Sequence, residues 1–482
     1  MSSLKKIKPF VITFLFFLLV LTHFSGTVTG DEEKVYNFID SFIRSESNFI
    51  IWLNNPIDNC EIWNKCHSAF LKHNLGWFFF NLIFYKISEI IFFFKDFINE
   101  RVLIELSLSF FNTSLFFLSF FILYKIFSQK FTKSLTLAGI ILLIYGSYLN
   151  NLSSGGYIET IILFFLSLRL TFLYKKNLET QDYVFIAIID SFLISLRFFY
   201  FWVALIFLII NFNFIKKNKF KIMCYFLCLL PIILIFYNIQ NIIPTYAYLN
   251  TNELNTLNLI DYYFIKIQRS FCVDNIFDLI LIYSERVFRS FFSLSVGILF
   301  IFPLFIFALF SNNKKIIIAK LFILVGFICA FSLEQNFYLP AGISGHRGLA
   351  PLIVIFLPEI IEFLEKIYKS KSHKYYITLF ILFILLFTPS LYYRSTLAHY
   401  TVFTKSFMKE NKILNTESVL VTEKKVPKCY KPESFVHNNL IMNPGVLGWK
   451  ILIFKELNKE NIKFIDVGID HGTVTAIINE RK

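Results

Sequence analysis

Residues 216–243 read KKNKFKIMCYFLCLLPIILIFYNIQNII. Lys216, Lys217, Lys219 and Lys221 stand before a long run with no charged residue. As a helix, such a run crosses a hydrocarbon core of about 30 Å. A basic cluster at one end marks the cytoplasmic flank. The run therefore reads as a span that starts inside and runs out.

The same pattern recurs along the chain. Of 482 residues, 56% are hydrophobic and 17% charged, with a mean hydropathy of +0.61. A soluble domain carries about 25% charge and needs a polar exterior, so a soluble enzyme is excluded. The formal charge of +14 falls in short clusters between apolar runs, which is a topology signal and not a nucleic-acid surface. The other clusters are Lys5, Lys6 and Lys8; Lys125, Lys130 and Lys133; Lys175 and Lys176; Lys314, Lys315 and Lys320; and Lys366, Lys369, Lys371 and Lys374.

Placing all of them inside gives eleven alternating spans. They are 9–25, 102–124, 135–149, 157–174, 183–195, 199–215, 221–243, 291–311, 316–333, 348–365 and 375–393. The N-terminus is then inside and the C-terminus outside. The first span reads as an uncleaved anchor, with a signal peptide ending near Gly26–Gly30 as the alternative. Two spans, 135–149 and 183–195, are short, about 22 and 20 Å.

Outer loops cover 26–101 and 244–290. In the first, Lys34–Arg44 has Val35, Phe38, Ile39, Phe42 and Ile43 on one face, as in an amphipathic helix lying along the membrane. Segment 75–98 carries a polar stripe of Asn81, Tyr85, Glu89, Asp96 and Asn99, which suits an interfacial helix. An ordinary span is the alternative. Cys60 and Cys66 lie in the same loop, as a disulfide or a free pair. Cys224 and Cys228 read as packing residues. The expected architecture is an all-α polytopic membrane domain over 1–393 with a small extracytoplasmic α/β domain over 394–482. Strands are expected at Ser418–Val421, Lys463–Val467 and Thr473–Ile478, with a helix at Val446–Leu457.

Chemistry collects on the outer side. Asp31, Glu32 and Glu33 follow the first span. They serve equally as the N-terminal turn of a helix or as a general base at the interface. Glu159 opens an inward span just after Gly155-Gly156-Tyr157. A carboxylate there faces a cavity or partner, or is exposed at the interface. Arg197 sits in a tight turn between two apolar helices, against the inside bias of positive charge. It reads as a phosphate ligand or as a cation among lipid headgroups. His346 and Arg347, between Gly345 and Gly348, again put a cation at the outer end of a span. Arg347 suits a bidentate grip on phosphate, and His346 a hydrogen bond to a leaving group or a helix cap.

In order and spacing these features resemble the type C glycosyltransferase superfamily, membrane enzymes that use polyprenyl-phosphate sugars. The protein mannosyltransferases and aminoarabinose transferases belong to it. The resemblance rests on Asp31-Glu32 after the first span, the helix 75–98, Arg101 leading the next span, Gly156 to Glu159, the hairpin Arg197, and Arg347 followed by Pro351. Gly348 stands where the family usually has an aromatic residue.

The resemblance implies inverting transfer of a sugar from a polyprenyl-phosphate donor to a glycan, lipid or protein hydroxyl. Asp31 would be the base. Glu32 would orient the acceptor or help to bind a divalent cation. Arg197 and Arg347 would hold the departing phosphate, and Glu159 would position sugar or acceptor. Three rivals remain: a surface-polysaccharide polymerase or ligase, a transporter or flippase, and a non-catalytic assembly protein. Neither internal repeats nor paired charges deep in the spans stand out in the sequence to favour transport.

Overall fold

The computed structural model describes residues 15–23, 31–44, 51, 75–91, 100–145, 147, 149, 158–175, 177–210, 219–242, 245–246, 254–255, 276–292, 298, 302, 314–333, 347–369, 440–442, 462–466 and 474–478. These residues are mostly helical. In chain order the helices are α1 (15–23), α2 (Asp31–Arg44), α3 (Leu75–Ile91), α4 (Glu100–Phe127), α5 (Lys133–Tyr145) and α6 (Ile158–Leu173). They continue with α7 (Thr180–Leu196), α8 (Tyr200–Ile210), α9 (Lys219–Ile242), α10 (Ile276–Phe292), α11 (Lys314–Phe331), a 3₁₀ helix (Arg347–Phe356) and α12 (Leu357–Lys369).

Among the described residues two helices, Val102–Phe127 and Lys219–Ile242, are long and apolar enough to cross a membrane. Shorter apolar helices cover Lys133–Ile144, Tyr200–Ile209 and Ile316–Ala330. The expected segments 291–311 and 375–393 lie outside the described residues except for 298 and 302. So do Cys60, Cys66 and the N-terminal half of the first span.

The chain divides into two compact units, residues 1–126 with 150–261 and residues 127–149 with 262–482. In the first, α2 packs on α3, and Val35, Phe38 and Ile39 are buried. Phe42 meets Phe78 edge-on at 6.5 Å. The apolar face expected to lie on a membrane is thus turned into the protein. The polar stripe of α3 is turned inward as well. Asn81 and Tyr85 are buried, whereas Ile83 and Ile90 are exposed. Asn112 of α4 donates to Asn81 Oδ1 at 2.8 Å, which explains the inward turn. A buried amide without such a partner would cost about 1–3 kcal/mol. Glu89, one turn beyond Tyr85, keeps 27% of its side chain exposed and pairs with Lys86 at 2.8 Å. Asp96 and Asn99 lie outside the described residues.

Helices α6 and α7 form an antiparallel hairpin, with α8 and α9 against α7. Tyr183, Ile186, Ala187 and Ile194 of α7 join Ala204, Tyr225 and Leu229 in one buried apolar cluster. Cys228 packs against it, the role expected for that residue. The rest of α9 faces outward, with Leu227, Leu230, Leu234 and Ile235 more than half exposed. α5, with 13 residues, is about 20 Å long, as short as expected. α7 has 17 residues and runs about 25 Å, longer than the expected 183–195. Its extra first turn is held by Asp182, which accepts the Glu179 backbone N–H at 2.7 Å.

In the second unit α12 packs on α5. The approach is close at Gly139, where a Cβ would lie 2.8 Å from Cγ1 of buried Ile361. Glu365 of α12 accepts from Thr132 N at 2.7 Å and Thr132 Oγ1 at 2.9 Å, and so caps the start of α5. The 3₁₀ helix is buried from Gly348 to Phe356 and touches both α11 and α12. Tyr283 of α10 donates to the Cys329 carbonyl of α11 at 2.9 Å.

A two-stranded pair, β1 (Thr245–Tyr246) and β2 (Leu254–Asn255), lies in the expected second outer loop. In the tail, β3 (Leu440–Met442), β4 (Ile462–Asp466) and β5 (Val474–Ile478) form an antiparallel sheet in the order β3-β5-β4. β4 and β5 fall on two of the expected strands. The third, Ser418–Val421, and the helix Val446–Leu457 lie outside the described residues.

Candidate functional site

The structure brings together two of the candidate residues, Glu159 and Arg197. Glu159 lies in the first turn of α6, where a carboxylate complements the positive end of the helix dipole. Arg197 follows the last residue of α7, where a cation complements the negative end. Because the helices are antiparallel, the two charges share one end of the hairpin. Arg197 Nη2 donates to Glu159 Oε1 at 2.7 Å. Glu159 is fully buried, and Arg197 keeps 20% of its side chain exposed.

The backbone fixes the arginine too. Arg197 is extended, its N–H donates to Leu193 O at 3.0 Å, and its carbonyl accepts from Tyr200 N at 3.0 Å. A carboxylate thus holds one edge of the guanidinium. The fully buried Glu159 is therefore placed to orient Arg197.

Two further ion pairs cross the same hairpin. Arg169 Nε donates to Asp190 Oδ1 at 3.0 Å, and Tyr225 of α9 donates to Asp190 Oδ2 at 3.0 Å. The Arg169 guanidinium also lies 5.1 Å from the centre of the Phe207 ring. Arg169 Nη1 and Tyr183 Oη are buried with no hydrogen-bond partner among the described residues. At the turn, Lys175 Nζ donates to both Asp182 oxygens, at 2.9 and 2.7 Å. The three pairs are nested about the turn, at sequence separations of 7, 21 and 38. The paired charges deep in the helices, which had not stood out in the sequence, are thus present. The signal that would have found them is opposite charges spaced evenly about residues 178–180, at 175 and 182, 169 and 190, and 159 and 197.

The second unit holds another such pair. Lys320 of α11 donates to Glu359 of α12 at 2.5 Å, and both are buried. Lys320 therefore does not belong to the surface cluster with Lys314 and Lys315. Six residues further along a helix, it lies about 9 Å deeper.

Asp31 and Glu32 are the first residues of α2, and their side chains lie outside the described set. Arg347 is the first residue of the 3₁₀ helix in the second unit; its side chain and His346 also lie outside that set. Among the described residues no group of three His, Cys, Asp or Glu side chains is placed to hold a metal ion. Comparison with known protein families, with characterised proteins and with solved structures found no match.

Proposed function

We propose that the chain is a polytopic membrane glycosyltransferase acting on the extracytoplasmic side. It moves a sugar from a polyprenyl-phosphate donor to a hydroxyl of a glycan, lipid or protein. The observation that supports this most is the Glu159–Arg197 pair. Two residues singled out in separate turns meet at one end of the hairpin, opposite the end that carries Lys175. With lysine-rich turns inside, the Glu159–Arg197 end faces out.

In this reading Asp31 takes the proton of the acceptor hydroxyl. The acceptor oxygen bonds to the anomeric carbon as the bond to the phosphate oxygen breaks on the opposite face. The electron pair leaves with the polyprenyl phosphate. Arg197, oriented by Glu159, and Arg347 with His346 stabilise the charge that grows there. Glu32 orients the acceptor or contributes to a divalent-cation site.

The test compares wild type with Asp31→Asn and Arg197→Gln in liposomes. Sugar release is measured from a panel of polyprenyl-phosphate sugars, with membrane extract as the acceptor source. Release by wild type is expected to be lost in Asp31→Asn at unchanged melting temperature, and in Arg197→Gln together with a lower melting temperature, because that change leaves buried Glu159 without its cation. Equal release by Asp31→Asn removes the base assignment and favours a polymerase or ligase, which does not need Asp31.

A transporter or flippase is the second reading, favoured by the buried pairs Arg169–Asp190 and Lys320–Glu359. It predicts movement of a labelled polyprenyl-phosphate sugar between leaflets without its cleavage.

A further inference from the structure

Helix α10 (Ile276–Phe292) belongs to the second unit and is fixed to the end of α11. Tyr283 Oη donates to the Cys329 carbonyl at 2.9 Å. Cys329 lies in the last turn of α11, which ends at Phe331. The last carbonyls of a helix find no N–H within that helix. Those of Ile328 and Ala330 accept from the N–H groups of Ser332 and Leu333, and that of Cys329 accepts from Tyr283. The middle of α10 therefore stands at the level where α11 stops.

That level has a depth. α11 starts with Lys314 and Lys315 and has 18 residues, a rise of about 27 Å. A hydrocarbon core is about 30 Å thick. Ile318, Phe322 and Val325 recur at helical spacing along α11 and are exposed, an apolar stripe for lipid. With the lysine pair inside, the Cys329 end reaches the outer boundary of the hydrocarbon. Tyr283 is then at the depth where tyrosine is enriched.

At about 100° per residue, α10 divides into three arcs. Leu279, Tyr283, Val287 and Ser290 form the packed arc, half-buried or buried. Phe277, Ile280, Leu281 and Phe288 form a second, and each is more than half exposed. The positions of Asp278, Glu285, Arg286 and Arg289 fall in the third. A helix crossing the bilayer would carry those charges into hydrocarbon. A helix lying in the interface keeps them among the headgroups while its apolar stripe enters the acyl boundary.

We infer that α10 lies in the plane of the outer leaflet, with Phe277, Ile280, Leu281 and Phe288 seated in lipid. Its partner is the bilayer surface. This rests, through α11, on the reading of the chain as polytopic. The seat holds the end of the second outer loop against the leaflet that carries the lipid-linked donor in the proposed reaction.

The experiment uses the full chain in phosphatidylcholine nanodiscs. A fluorescent amino acid replaces, one at a time, residue 277, 281, 288, 289 or 322. Residues 277, 281, 288 and 322 are exposed, so the dye displaces no packed side chain there. Quenching by lipids spin-labelled at the top or the bottom of the acyl chain reads depth, and quenching by iodide reads contact with water. Positions 277, 281 and 288 are expected to share one depth, about 5–10 Å into the headgroup–acyl boundary. Position 289 is expected to be quenched by iodide, and position 322 by the deeper label.

Depths at 277 and 288 that differ by about 16 Å, the rise between them, mean a crossing helix and overturn the inference. Quenching at 277, 281 and 288 by iodide alone overturns it too. So does quenching by neither, as when a second copy covers the stripe. Position 322 separates the two readings. If lipid labels reach 322 and not α10, only the seat of α10 fails. If they do not reach 322, the polytopic reading fails at α11 itself.

Discussion

Arg169 of α6 meets Asp190 of α7 at 3.0 Å, and neither side chain reaches solvent. Tyr225 completes the carboxylate from α9, so three helices converge on one oxygen pair. Two buried charges repay their desolvation only together. Arg169→Met or Asp190→Leu alone is expected to cost about 3–5 kcal/mol, and the double replacement clearly less than the sum. Denaturant unfolding of the four proteins in detergent micelles checks this. Additive losses would mean that the pair is uncoupled.

Asp182 gives a pH dependence. Burial pushes its carboxyl up, but the Lys175 ammonium and the Glu179 N–H outweigh it and hold the group below its usual range. A folded-state value below the unfolded one stabilises the fold above the ordinary Asp value of about 3.9. That contribution is lost as pH falls from there through the folded value. Melting curves between pH 3 and 6 are expected to drop more steeply for wild type than for Asp182→Asn. Parallel curves would refute the assignment.

Gly139 tests the α5–α12 contact. A Cβ there lies 2.8 Å from Ile361 Cγ1, and Ile361 has no room to retreat because it is buried. Gly139→Val is expected to cost about 1–3 kcal/mol as overpacking. Adding Ile361→Ala is expected to return part of that. A thermal-shift series on the two single variants and the double variant decides it.

Glu365 caps a helix from 233 residues away. Glu365→Ala is expected to cost about 0.5–2 kcal/mol, in the range of a lost N-cap. Glu365→Gln keeps the acceptor oxygen and is expected to cost less. Hydrogen exchange at the first turn of α5 locates the effect.

Much of this was legible from apolar length alone. The run 102–124 falls inside α4, the run 221–243 matches α9 up to Ile242, and the turn at Arg197 is where the sequence puts it. Glu159 and Arg197 were each visible as a charge out of place. Their pairing was not, because it depends on which end of a hairpin each occupies. Arg169 and Asp190 are single charges inside apolar runs, and only the antiparallel register pairs them. Lys320 was grouped with Lys314 and Lys315 by nearness in sequence, although a helix carries it two turns deeper. Composition could not say which way α3 turns its polar stripe. The partner, Asn112, lies 31 residues away on another helix.

The nested spacing of the hairpin's ion pairs bears on how the chain is made. Each of these carboxylates has its cation within the stretch from Glu159 to Arg197, a separation of 38. When Arg197 emerges from the ribosome, all three pairs already have both members. The charges of these pairs therefore cancel within the hairpin itself, without waiting for any later segment to balance them.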